Sequence, residues 1–126
     1  MTKACSLLVI EDDLAVREAV TRVLQSEDYE VSSAACSKDA FRYFNEKKID
    51  IVILDLSLGP EQGWEIFQAL KKSQPGLPII VTSARSDQLA HSSAREASGV
   101  LEKPFDVPVL LNILRQVSEP MIGIKR

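Results

Sequence analysis

An unbroken apolar run followed by a helical stripe, repeated along the chain, constrains this sequence more than any other feature. Leu7 to Ile10 (LLVI) is continuously apolar, as a strand covered on both faces requires. Val16, Val20, Val23 and Leu24 then recur at i, i+4, i+7 and i+8, one stripe of a helix starting just after Asp13. Tyr29 to Ala35 reads as a weaker, more polar strand suited to a sheet edge. Ser37 reads as the N-cap of a helix that turns Ala40, Phe41 and Phe44 inward. Ile51 to Leu54 is a third strand, closed by Asp55, and Ile66, Phe67 and Leu70 mark the next helix. Trp64, at the start of that helix, reads as a packing aromatic close to Asp55. Leu77 to Thr82 and Gly99 to Glu102 are the last two strands. Residues 86–97 between them are expected to be helical, with Leu89 as their one large apolar anchor. Val109, Leu110, Ile113, Leu114 and Val117 trace the final helix.

Strands alternating with helices mean βα units with right-handed crossovers, hence an α/β fold with a five-stranded parallel sheet and helices on both faces. At 126 residues the chain suits one domain, expected over residues 1–120, with 121–126 (MIGIKR) as a tail or the start of a linker. A net charge of −3 argues against a general nucleic-acid grip. No apolar run approaches the ~20 residues of a membrane span and no signal peptide precedes the first strand, so a cytoplasmic location is expected. Cys5 and Cys36 form no CxxC and are expected to be reduced, small buried hydrophobes. His91, the single histidine, lies in a polar stretch and reads as solvated, which leaves no His-dependent triad.

Ligands of open parallel sheets bind outside the carboxyl ends of the strands. Strand one ends there in Glu11, Asp12 and Asp13, strand three in Asp55, and strand four in Thr82 and Ser83; strand five runs into Lys103. With strands one and three as neighbours, Glu11, Asp12 and Asp55 converge. Two unit charges ~4 Å apart repel by about 4 kcal/mol at an effective dielectric of 20, so such a cluster calls for a compensating cation. Carboxylates, a carbonyl and waters describe a Mg²⁺ site, whereas Asp13 alone reads as a helix cap. A carboxylate beside Mg²⁺ can attack a phosphoryl group, and Lys103 and Ser83 can supply a charge and a hydroxyl to its oxygens.

The segments VIEDD, ILD, PIIVTSAR and GVLEKPF, in this order over residues 6 to 118, resemble the signature segments of response-regulator receiver domains. These are the phosphoacceptor modules of two-component signalling, with a flavodoxin-like sheet of order 2-1-3-4-5. The resemblance implies Asp55 as phosphoacceptor and Glu11 and Asp12 as the acidic pair holding Mg²⁺, with the Ser57 carbonyl as a further ligand. Ser83 falls at the family's Thr/Ser position, Ala84 is the small residue leaving room for the phosphoryl group, and Lys103 pairs with that group. Lys103–Pro104 is expected to be cis. A histidine kinase or phosphotransfer protein would be the donor, and an output domain or partner would meet the face made by the fourth helix, fifth strand and fifth helix. The domain would assist its own phosphorylation without being a turnover enzyme.

The chain departs from the family pattern in two places, with a minor loop change besides. Val100 stands where an aromatic residue usually switches, the segment from Ser83 to Lys103 is about two residues short, and Gly59 precedes Pro60 where a proline is common. Val100 keeps open an alternative, a phosphorylation-independent pseudo-receiver acting as an interaction module. A phosphatase of the haloacid-dehalogenase type would need an acid two residues past the nucleophile, where this chain has Ser57. A flavin- or nucleotide-binding module would need a phosphate loop where this chain has EDDLAVRE.

Overall fold

The computed structural model describes residues 5–58 and 60–119. The chain runs β1 (Ser6–Ile10), α1 (Leu14–Ser26), β2 (Glu30–Ala34), α2 (Ser37–Glu46), β3 (Ile51–Asp55), α3 (Pro60–Ser73), β4 (Ile79–Ser83), β5 (Gly99–Glu102) and α4 (Val107–Ser118). All strand pairings are parallel and the order is β2-β1-β3-β4-β5. The expected sheet is therefore present, with β2 at an edge. Gly59 and the tail 121–126 lie outside the described residues.

Alternation along the central strands divides the apolar side chains into two cores. Leu8, Ile10, Val52, Leu54, Ile79 and Val81 face one way, against Ala40 of α2 and Trp64, Phe67 and Leu70 of α3. Leu7, Val9, Ile51, Ile53 and Ile80 face the other way, against Leu24 of α1 and Leu110 and Leu114 of α4. β3 is buried at every position, as the apolar run Ile51 to Leu54 requires, and the burial extends to Asp55. Asp13 caps α1 by accepting the Val16 amide at 3.0 Å. α3 presses close to the 3₁₀ turn Leu56–Leu58 that follows β3, because Gly63 has no side chain there. A Cβ at Gly63 would lie 2.7 Å from Leu56 Cδ2 and 3.0 Å from Leu56 Cα.

The structure corrects several expectations. Cys36, not Ser37, occupies the N-cap of α2, and Ser37 is its first helical residue. Cys5 is buried as expected, but Cys36 is exposed because it stands at that helix end. Val109 lies on the outer side of α4, 46% exposed.

The largest difference falls between β4 and β5. Residues 86–97 form no α-helix but two 3₁₀ turns, Ser86–Ala90 and Ser92–Glu96. They break at His91, whose backbone is extended (φ −69°, ψ 148°). The His91 Nδ1 accepts the Ser93 amide at 3.0 Å, an amide that a continuous α-helix would have given to residue 89. Leu89, Ala94 and Ala97 of this segment pack against the first core. Val100, paired in register with the inward-facing Val81, is left 41% exposed.

Candidate functional site

Register alone brings the polar strand ends together. Ile10 pairs with Leu54, so the next residues, Glu11 and Asp55, stand at neighbouring strand ends. Asp55 pairs with Thr82, and Ser83 pairs with Glu102, one residue before Lys103. Two backbone bonds carry the ladder past the strands, from the Glu11 amide to the Ala34 carbonyl (3.0 Å) and from the Lys103 amide to the Ser83 carbonyl (2.7 Å). The Lys103–Pro104 peptide is cis, as expected.

Asp55 is 1% exposed and Glu11 5% exposed, an unusual depth for two carboxyl groups. The Lys103 ammonium answers both, donating to Asp55 Oδ2 at 2.8 Å and to Glu11 Oε1 at 3.1 Å. Asp55 also accepts the Ser57 hydroxyl on Oδ2 at 2.6 Å and the Ser57 amide on Oδ1 at 3.0 Å. The second Glu11 oxygen accepts the Asp13 amide at 3.2 Å. Asp12 is exposed, yet Glu11, Asp12 and Asp55 each place an oxygen within 4.8 Å of the others.

Burial pushes the Glu11 carboxyl up to about 7, helped by its hydrogen bond to Asp55 and that group's charge, against the pull of Lys103. Burial acts on Asp55 in the same direction, but hydrogen bonds from Glu11, Lys103 and Ser57 outweigh it and hold that carboxyl below its ordinary value. For Lys103, burial alone would lower the pKa; the two carboxylates reverse this and raise it. The arrangement sets one carboxyl raised towards neutrality beside one held low, with the Lys103 cation between them. Oxygen donors converging at this spacing, with one exposed carboxylate at the rim, fit a hard divalent cation such as Mg²⁺.

Of the other expected site residues, Ser83 is fully buried at the end of β4. Its hydroxyl lies 2.8 Å from the Arg85 carbonyl and accepts the Arg85 amide at 3.0 Å. Ala84 is exposed beside it. Ser57, expected as a metal ligand through its carbonyl, also donates its hydroxyl and amide to Asp55, contacts the sequence reading did not include.

Two contacts near the site escaped the sequence reading. Trp64 is 4% exposed, as a packing residue should be, but it stacks on His91 with ring centroids 4.7 Å apart. His91 is therefore a ring partner as well as an exposed residue, which no local pattern announces. Arg17 donates to the Glu11 carbonyl at 2.9 Å and to the Asp12 carbonyl at 3.4 Å. The available signal was a cation in the first turn of a helix, where the macrodipole disfavours it.

Residues 7–115 match the family model of the response regulator receiver domain. The chain is 33% identical over 120 residues to the DNA-binding transcriptional regulator NtrC of Bradyrhizobium sp., covering 93% of this chain and 25% of that protein. It is 31% identical over 120 residues to the transcriptional regulatory protein GlrR of Escherichia coli, covering 93% and 27%. The chain thus spans about a quarter of the length of these relatives. Among solved structures it is similar to the response regulator TrrA of Thermotoga maritima in complex with Mg²⁺-BeF, with a TM-score of 0.82, 26% identity, and coverage of 90% of this chain and 98% of that one. Chemotaxis response regulator CheY4 of Vibrio cholerae superposes with a TM-score of 0.81, 26% identity and coverage of 91% and 99%. Sheet order, the converging strand ends and these matches lead to one assignment: the chain belongs to the family of response regulator receiver domains.

Proposed function

We propose that this receiver domain is a phosphorylation-controlled switch that accepts a phosphoryl group on Asp55. The observation carrying this reading is Lys103 Nζ bridging Asp55 and Glu11 at 2.8 and 3.1 Å beside the exposed Asp12 carboxylate. Glu11, Asp12, Asp55 and the Ser57 carbonyl would hold Mg²⁺, as the Mg²⁺-BeF complex of the similar TrrA suggests. The ion, when bound, offsets the negative charge of carboxylates and phosphate drawn together. An Asp55 oxygen forms the new bond to phosphorus while the bond to the donor's leaving group breaks, and that group departs with its electron pair. Lys103 and the Ser83 hydroxyl then meet the phosphoryl oxygens, and Ala84 leaves room for them.

The donor would be a histidine kinase or phosphotransfer protein. The domain would assist its own phosphorylation and dephosphorylation rather than turn over an external substrate. The receiver would occupy residues 1–120, with 121–126 as tail or linker. Relatives that are transcriptional regulators make an output domain in a longer protein the natural recipient of the signal. Because the 3₁₀ turns Ser86–Ala90 and Ser92–Glu96 replace a helix, the responding surface would be those turns, β5 and α4.

Incubation with Mg²⁺ and acetyl phosphate, followed by intact mass, should add one phosphoryl group to the parent chain and none to Asp55→Asn. An unlabelled parent chain, or labelling that survives Asp55→Asn, sinks the proposal. The exposed Val100 favours a second reading, a pseudo-receiver that binds its partner without phosphate, and an unlabelled parent would favour it too.

A further inference from the structure

Arg17 stands one turn into α1, directly after Glu11, Asp12 and Asp13. A guanidinium so close to three carboxylates would ordinarily pair with one of them. Among the described residues it makes no ion pair. Its Nη1 instead donates to two main-chain carbonyls, those of Glu11 at 2.9 Å and Asp12 at 3.4 Å. Beyond the N-cap Asp13, α1 carries no acidic residue in its first turn. The main chain of the loop is thus tied to α1, while Glu11, Asp12 and Asp55 each keep a carboxylate oxygen within 4.8 Å of the others.

We infer that Arg17 is a positioning residue for a divalent cation, holding the β1–α1 loop so that the Glu11 and Asp12 carboxylates converge with Asp55. This rests on the proposed metal reading and deepens it. Two effects of Arg17 oppose each other, which makes the inference testable. As a positive charge it repels an incoming cation, an effect that salt screens. As a donor to the loop carbonyls it fixes the oxygens, an effect that salt leaves unchanged. Groups that orient metal ligands are typically worth 10- to 100-fold in affinity.

The test is a titration with Mg²⁺ alone by isothermal titration calorimetry, at low and high sodium chloride, on chains whose fold is checked by circular dichroism. Arg17→Ala should bind about tenfold more weakly than the parent at high salt, and by a smaller factor at low salt, where the lost repulsion offsets part of the loss. Arg17→Gln, which keeps a donor without the charge, should recover most of the loss. Should Arg17→Ala fail to fold, Arg17→Met keeps the apolar stem and answers the same question. A parent that binds, with Arg17→Ala unchanged or tighter, overturns this inference and leaves the metal site standing. Equal loss in Arg17→Ala and Arg17→Gln likewise overturns it. A parent chain that takes up no Mg²⁺ overturns both readings together.

Discussion

Trp64 of α3 lies flat against His91, with ring centroids 4.7 Å apart and planes inclined by 18°. The stack joins the helix that begins just beyond Asp55 to the break between the two 3₁₀ turns. A second link lies beside it, from Gln68 Nε2 to the buried Ser93 hydroxyl at 3.0 Å. Val100 has no ring to reorient, and these two contacts tie α3 to the β4–β5 segment, beside the packing of Leu89, Ala94 and Ala97 against the same core. Removing the ring in His91→Ala should weaken local order by about 1 kcal/mol. Amide exchange should accelerate at residues 86–96 while β3 is unaffected. Unchanged exchange there would show that the stack holds nothing in place.

Among the described residues, Lys103 is the one cation touching both buried carboxyl groups. Lys103→Met leaves Asp55 and Glu11 without it, at an expected cost of about 3 kcal/mol in urea unfolding. The loss should be larger above neutral pH, where both groups are ionised, than below it. Added Mg²⁺ should return part of the stability. A variant as stable as the parent at all pH values would contradict the arrangement.

The pH dependence follows from the direction of each shift. Glu11, raised from 4.5 to about 7, binds its proton more tightly folded than unfolded. Its contribution to stability is therefore full below 4.5 and lost as pH rises through about 7. Asp55 is lowered, so its contribution is present above the ordinary carboxylate range and lost only as pH falls through its folded-state value. Without metal, urea midpoints should decline over the Glu11 window, and Glu11→Gln should flatten that decline. Mg²⁺ binding should strengthen over the same window, because the ion must displace the Glu11 proton.

Gly63→Ala tests the contact between α3 and the turn after β3. Alanine is the better helix former by about 1 kcal/mol, yet its Cβ would fall 3.0 Å from the Leu56 main chain. Overpacking against backbone should win, giving a net loss of about 1–2 kcal/mol in chemical unfolding. A gain in stability would show that the turn can shift freely.

Much of this protein was legible from pattern. β3 is buried throughout, and β5 spans the residues its sequence indicated. Glu11, Asp55, Ser83 and Lys103 could be placed at one rim because a parallel sheet turns every strand's carboxyl end to the same side. The segment 86–97 misled because its polarity is compatible with an exposed helix, and the competing bond from the Ser93 amide to His91 cannot be seen in spacing. Arg17 and the Ser57 hydroxyl were missed for a related reason. Both bond to groups a few residues away, at angles set by the turns between strand and helix.

The amino-acid order by itself determined the sheet, its two cores and the company of residues at its rim, because strand and helix periods act locally and register follows from what must be buried. Folding in three dimensions decided which carboxyl is raised and which held low, and which ring His91 meets. Those outcomes depend on distances of a few ångströms between segments far apart in the chain, where burial and charge are balanced.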